Sequence, residues 1–349
     1  MSQYYMKKLD LESGTVDMTH GAGGRATNQL IAEIFARHLT NEWLDLGHDG
    51  AVMPPIASPV VMSCDAHVVR PLFFPGGDIG RLAVAGTVND VAMCGARPLW
   101  IAASFIIEEG FPFKELDRIV ESMAKTAREA GVAVVTGDTK VVERGHGDGL
   151  YISTAGVGER ISRHPISGRE ARPGDAVLVS GTMGDHGTAV LAVREGMGFE
   201  TALRSDAAPL AAMTEAVLRA APDVHVLRDP TRGGLAATLN EIASQSGVGI
   251  LLDEASIPVR PEVASACEFL GLDPLYAANE GKMIVICPQS EADAALAAMR
   301  SFPEGSMAVQ IGRIDDSGAV PAAAVEMTTV FGGRRTVDWL AGDQLPRIC

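Results

Sequence analysis

Two rhythms of apolar and polar positions take turns along this chain. Residues 60–69 are rich in β-branched side chains and read as a strand, followed by the turn Pro75-Gly76-Gly77. Asp78 then stands as the N-cap of a helix that carries Ile79, Leu82, Ala83 and Val91 to a stop at Gly95. A second helix is predicted over 114–130, with Leu116, Ile119, Val120, Met123 and Ala127 on one face and Gly131 closing it. Strands are predicted over 132–136 and 150–157. Residues 160–175 are polar and include Pro165, Gly168, Pro173 and Gly174, which suits a linker. The pattern restarts with a strand over 176–180, a glycine-rich turn, a helix over 188–195, a strand over 224–227 and a helix over 235–245. The fold class this implies is α/β (α+β) in two halves, 1–165 and 170–335. A tail follows over 336–349, and fully extended it spans about 45 Å at roughly 3.3 Å per residue.

The length of 349 residues gives room for two domains. Lys and Arg number 29 against 44 Asp and Glu, a net charge of −15, which argues against nucleic acid as a partner. The most apolar stretch, 79–107, is interrupted by Arg81, Asn89, Asp90 and Arg97, so no membrane span is expected. The first residues lack an apolar core of signal-peptide length. The five cysteines (Cys64, Cys94, Cys267, Cys287 and Cys349) are odd in number and form no CxxC pair, and the first four sit in apolar, core-like contexts. A reduced, cytoplasmic protein is the expectation.

No GxxxxGK(S/T) phosphate loop, GxSxG elbow or HExxH helix occurs. The stretch 181–187 lacks the GxGxxG spacing and reads as a plain strand-to-helix turn. Several aspartates do stand at element ends beside glycines: Asp65, Asp90, Asp138 and Asp229. Most such residues are caps or turn formers. Asp90 fits that role poorly, because it falls toward a helix C-terminus, where the macrodipole disfavours a carboxylate by about 0.3–1 kcal/mol. A bound cation would remove that penalty, and carboxylates converging from separate elements suit Mg²⁺. Two glycine loops, His20-Gly21-Ala22-Gly23-Gly24 and Thr231-Arg232-Gly233-Gly234, precede predicted helices and could present backbone N–H groups to an anion. Loops and aspartates together suggest a nucleotide phosphate bridged by Mg²⁺. Cys349 adds a thiol with reach, whose reactivity its own carboxylate and Arg347 push in opposite directions.

These motifs occur in an order that resembles one family. HGAGG (20–24), DAHVVRPLFFPGGDIGRLAVAGTVNDVAMCGA (65–96), VTGDTKVVERGHGDGLY (135–151), SGTMGDHG (180–187), RDPTRGGLA (228–236), NEGKM (279–283) and PRIC (346–349) are similar to the HypE family, the carbamoyl dehydratases of NiFe-hydrogenase maturation. More broadly, the chain resembles the aminoimidazole-ribonucleotide synthetase and selenophosphate synthetase superfamily of ATP-dependent enzymes. The resemblance implies a two-domain synthetase-like fold whose N-terminal halves pair sheets in a homodimer, with an ATP cleft beside them. It implies that Cys349 accepts a carbamoyl group from a HypF-type carbamoyltransferase. ATP then drives dehydration of the thiocarbamate to a thiocyanate, and the cyano group passes to iron on a HypC–HypD complex. By the same resemblance Asp65, Asp90 and Asp229 bind Mg²⁺, with Asp138 a fourth candidate and Asn89 an adjunct. His20, Gly23 and Gly24 line the ATP phosphates, Glu280 is the base, and Lys140 polarises the carbamoyl oxygen. Lys282 reads as a surface charge. Two other readings stand beside this one: a superfamily enzyme acting on another amide-type substrate with Cys349 incidental, and a non-catalytic ATP-binding assembly scaffold.

Overall fold

The N-terminal half is one sheet backed by helices. In the computed structural model, which describes residues 8–46, 50–196, 203–339 and 348, α1 (Arg25–Leu30) runs through a π-helical stretch, Ile31–Phe35, into α2 (Ala36–Leu39). Next come β1 (Val60–His67), the short hairpin β2 (Phe73–Phe74) and β3 (Gly77–Asp78), α3 (Ile79–Met93) and β4 (Ala96–Glu108). This half closes with α4 (Phe113–Ala130), β5 (Ala133–Val142) and β6 (Leu150–Arg160). The strand order is β1-β6-β4-β5, with β6 antiparallel to both neighbours and β4 parallel to β5. Asp78 caps α3 as predicted, its carboxylate accepting from the N–H groups of Gly80 (2.8 Å) and Arg81 (3.0 Å). Gly131, at φ +70°, closes α4. The long β4 goes unpredicted, because its apolar run lacks the strict alternation that separates a strand from a buried helix.

The C-terminal half contributes β7 (Asp175–Val179), α5 (Asp185–Arg194), α6 (Ala211–Ala220), β8 (Val226–Arg228), α7 (Gly234–Ser246) and β9 (Ile250–Asp253). It continues with α8 (Pro261–Leu270), β10 (Ile284–Pro288), α9 (Ala292–Arg300), β11 (Val309–Ile314), β12 (Val325–Thr328) and β13 (Arg334–Thr336). The sheet order is β13-β12-β9-β11-β7-β10-β8. The helix predicted over 188–195 begins earlier, at Asp185.

The placement of α3 organises the site. It lies flat on β6 because Gly156 leaves room; a Cβ there would stand 2.7 Å from Cγ2 of Thr87. It also touches β1, β4 and α4 in its own half and α6 and β8 in the second. Most of α3 is buried, so its polar side chains find partners inside: Thr87 meets Thr154 of β6, Asp90 meets Ser63 of β1, and Asn89 reaches the second half. The opposite face of the first sheet is open and apolar, with Val60 60%, Met62 69% and Ile106 42% exposed. Alternation along β1 also puts Cys64 outward, and Cys94 is exposed at the end of α3, so only Cys267 and Cys287 are the core cysteines the sequence suggested. Among the described residues no helix is long and apolar enough to cross a membrane.

Candidate active site

Four elements bring carboxylates toward one another where the halves meet. Asp65 comes from β1, Asp90 from the last turn of α3, Asp229 from the turn after β8 and Glu280 from the loop before β10. Asp90 accepts a 2.6 Å hydrogen bond from Ser63 Oγ. Burial holds Asp90 above the usual carboxylate range, and the charge of Asp65 adds to the rise. Asp229 is pushed up to about 7, first by burial and then by Asp90. Glu280 is raised well above its ordinary value by burial, then by Asp229 and Asp206. Its Oε1 is buried with no hydrogen-bond partner. Among the described residues no three His, Cys, Asp or Glu side chains are grouped closely enough to hold a metal ion as they stand.

A buried clamp sets the position of Glu280. The Asn89 amide donates to the carbonyls of Ala208 (3.0 Å) and Glu280 (3.3 Å), and its Oδ1 accepts from the Leu210 N–H (2.8 Å). Asp206 Oδ1 accepts the Glu280 N–H at 3.1 Å, and Asp206 Oδ2 stands 3.5 Å from the Lys282 ammonium. Gly281 must be glycine, since a Cβ there would fall 1.8 Å from the Asp206 carbonyl oxygen.

Residue 348 docks against the same framework. His186 is fully buried, and its Nε2–H donates to the Ile348 carbonyl at 2.8 Å. Because a carbonyl only accepts, Nδ1 is left to accept from Ser205 Oγ–H, also at 2.8 Å. Burial lowers the pKa of His186 and so favours this neutral form. The Phe74 ring meets the imidazole edge-on, with centroids 5.4 Å apart. The next residue, Gly187, donates its N–H to the Ala278 carbonyl (2.9 Å), and the Gly184 N–H donates to Asn279 Oδ1 (2.7 Å). The anchor for residue 348 is therefore tied to the two residues that precede Glu280.

A second cluster lies at the glycine loop. Gly23 and Gly24 face open space, and Gly21 packs on Val141 of β5. Beside the loop, Thr27, Ile31, Phe35, Phe105, Val134 and Asp138 help line an apolar cavity of about 210 Å³. Asp138 and Lys140 form an exposed ion pair at 2.6 Å on β5.

The AIR synthase related protein family matches twice, its N-terminal domain over residues 47–160 and its C-terminal domain over 172–322. The carbamoyl dehydratase HypE of Cupriavidus necator is 60% identical over 346 residues, covering 99% of this chain and 98% of that protein. The crystal structure of a hydrogenase maturation protein HypE in complex with ATP superposes with a TM-score of 0.92 at 51% identity, covering 95% of this chain and 99% of that one. A HypE from a HypE–HypF complex superposes at 0.78 with 47% identity, covering 89% of this chain and 99% of that one. The chain belongs to the HypE family of carbamoyl dehydratases. It has the two-domain α/β fold of the AIR synthase superfamily and is an ATP-binding enzyme of hydrogenase maturation.

Set beside the HypE resemblance, the geometry shows what several of the expected site residues touch. The Asn89 amide, expected beside metal or phosphate, is engaged here in holding the loop at 208–210 and Glu280. His20 is not turned to the phosphate loop through Nδ1, which accepts the Asp17 N–H (3.1 Å) while the ring packs on Phe113. Lys282 is buried against Asp206, not a surface charge. Lys140 and Asp138 pair with each other, and among the described residues no hydrogen bond or ion pair ties either to Glu280. Cys349 lies outside the described residues. His186, Asp206 and Ile348 escaped the sequence reading. The DHG of 185–187 carried a signal, a histidine just inside a helix that follows a glycine turn, but only the fold gives it a partner 162 residues away.

Proposed function

We propose that the chain carries a carbamoyl group as a thiocarbamate on Cys349 and dehydrates it with ATP to a thiocyanate, supplying the cyanide ligand of NiFe-hydrogenase iron. The docking of residue 348 carries this reading: its carbonyl rests on a buried histidine whose helix is bonded to the residues beside Glu280. Cys349 is the residue covalently next to Ile348.

The balance of the step is simple. The γ-phosphoryl of ATP transfers to the carbamoyl oxygen, the C–O bond breaks with phosphate leaving, and two N–H protons are lost as the nitrile forms. Phosphoryl transfer of this kind depends on positioning and charge neutralisation. Glu280, buried and more basic than an ordinary carboxylate, accepts a proton from the thiocarbamate nitrogen. Lys140, held only in an exposed ion pair, is free to leave it and polarise the carbamoyl oxygen. Gly23 and Gly24 give their open backbone to the phosphates, with His20 behind them and Asp138 beside them, and the apolar cavity next to the loop takes the adenine. Asp65, Asp90 and Asp229 offer only oxygen donors, repel one another and are partly buried, which fits Mg²⁺. When bound, that ion would neutralise triphosphate charge.

The exposed apolar face of the first sheet is the proposed homodimer surface. The division into 1–165, 170–335 and a tail over 336–349, a HypF-type carbamoyl donor, a HypC–HypD acceptor and a reducing cytoplasm complete the reading. The test is intact mass after incubation with HypF, carbamoyl phosphate and MgATP. Wild type gains about +43 Da on Cys349, which falls to about +25 Da on dehydration. Glu280→Gln stays at the heavier adduct and Cys349→Ala gains neither; a Glu280→Gln protein that completes dehydration at the wild-type rate removes Glu280 as the base.

A further inference from the structure

We infer that Arg232 is a catalytic residue, the cation that meets the γ-phosphoryl group as it passes from ATP to the carbamoyl oxygen. The assignment deepens the function proposed above and rests on it for the acceptor. Arg232 stands in the turn between β8 and α7, three residues after Asp229. The turn is closed by the Thr231 N–H on the Asp229 carbonyl (3.0 Å) and the Gly234 N–H on the Thr231 carbonyl (2.9 Å). It is also bonded to the loop of the base, because the main-chain and side-chain N–H groups of Asn279 both donate to the Pro230 carbonyl at 3.0 Å. Gly234, at φ +61°, permits that approach, since a Cβ there would fall 2.5 Å from the Leu275 carbonyl oxygen. Asp229, Arg232 and Glu280 therefore stand on one bonded pair of loops. The guanidinium itself is uncommitted. Arg228 spends its charge on Glu241 at 2.9 Å, whereas Arg232 is exposed and, among the described residues, no hydrogen bond or ion pair holds it. Its charge is still felt on two other elements. It adds to the burial that lowers the pKa of His67 on β1, and it opposes the burial that raises that of Asp90 on α3.

The chemistry calls for such a group. Asp65, Asp90, Asp229 and Glu280 make the junction strongly acidic, and a triphosphate adds further negative charge. During transfer the P–O bond to ADP breaks as the bond to the carbamoyl oxygen forms, and charge spreads over the phosphoryl oxygens. Those oxygens match the forked N–H groups of a guanidinium, which binds phosphate bidentately where an ammonium offers only a point charge. Arg232 combines that fork with a fixed backbone and a side chain free to follow the phosphoryl group. An exposed side chain that pairs with none of the described residues holds nothing in place, so its charge is left for a ligand.

A contact with the γ-phosphate has a readout that needs neither HypF nor turnover. The full-length chain is treated with phenylglyoxal. Modification of Arg232 and of Arg169, an exposed arginine in the segment between the halves, is followed by peptide mass spectrometry. MgATP at about ten times its Kd should slow modification of Arg232 by about tenfold and leave Arg169 unchanged. MgADP, which lacks the γ-phosphate, should give little protection. In the intact-mass assay, Arg232→Ala should form the heavier adduct on Cys349 and convert it to the lighter one about a hundredfold to a thousandfold more slowly than wild type. Arg232→Lys, a cation without the fork, should recover part of the rate. Both variants should unfold at the wild-type urea midpoint. The assignment is overturned if MgATP fails to protect Arg232 or if MgADP protects it equally. It is also overturned if Arg232→Ala converts the adduct within about threefold of the wild-type rate, or if its slow conversion comes with a lowered urea midpoint. Protection by MgATP alone, in a wild type that never reaches the lighter adduct, would keep Arg232 on the γ-phosphate and sink the carbamoyl reading.

Discussion

Replacing Asn89 separates the clamp described above from a role in ligand binding. The side chain is 1% exposed and serves three backbone groups, each of them buried. In Asn89→Ala, the Leu210 N–H and the Ala208 carbonyl lose their partner, whereas the Glu280 carbonyl keeps a contact from the Ala208 N–H at 3.4 Å. Two stranded groups at about 1–3 kcal/mol each predict a loss near 3 kcal/mol. That is roughly a hundredfold in the unfolding equilibrium and a large share of ordinary domain stability. The vacated space could admit a water that recovers part of this, so Asn89→Leu is the sharper variant: it fills the space and denies the water. Urea unfolding should place the midpoints in the order wild type, Asn89→Ala, Asn89→Leu, with the slope unchanged. A loss under about 1 kcal/mol in Asn89→Ala, or a leucine variant more stable than the alanine one, would refute the clamp.

Three further outcomes follow from the site. Asp229 sits at about 7 in the fold against an ordinary value of 3.8, so between these values the folded chain binds the extra proton and stability falls as pH rises. Thermal midpoints in chelating buffer should therefore decline more steeply toward neutral pH in wild type than in Asp229→Asn, and Mg²⁺ should shrink the difference; parallel profiles contradict this. Gly281→Ala forces a methyl against the Asp206 carbonyl, moving Glu280 by something near 1 Å, and dehydration should slow by about a hundredfold while the adduct on Cys349 still forms. Met62→Asp on the open face of the first sheet should give a monomer by light scattering, and a chain that stays dimeric rules that face out.

Much of the fold was legible because local chemistry decided it. Asp78 had two backbone N–H groups to accept from, Gly131 had a left-handed cap to fill, and the amphipathic face of α4 had α3 to pack against. The strand β4 was not legible, because its inward face packs on α3 and its ends carry Arg97, Pro98 and Glu108, so no alternation survives to be read. The same limit hid the function of polar residues. Asn89 and Asp90 are neighbours on one buried helix with similar motif context, yet one turns to loop backbone and the other to Ser63. Lys282 looked like a surface charge until β10 placed it inside against Asp206. Which backbone a buried polar side chain satisfies is a long-range property, and spacing along the chain does not carry it.

On the proposed reading, the location of Glu280 and of the His186–Ile348 contact at one junction bears on a conflict built into carrier chemistry. A phosphorylated thiocarbamate exposed to water is open to hydrolysis, so the step calls for a dry pocket; Glu280 at 4% and Ile348 at 3% exposure show how dry the docked arrangement is. Loading of the same sulfur by a separate protein calls for the opposite, a segment out in solvent. Both are met if the contact at residue 348 is weak enough to form and break in turn. A charged or multiply bonded anchor would hold residue 348 too firmly. One neutral imidazole on one carbonyl is a contact of about 1 kcal/mol, weak enough to break without a large barrier.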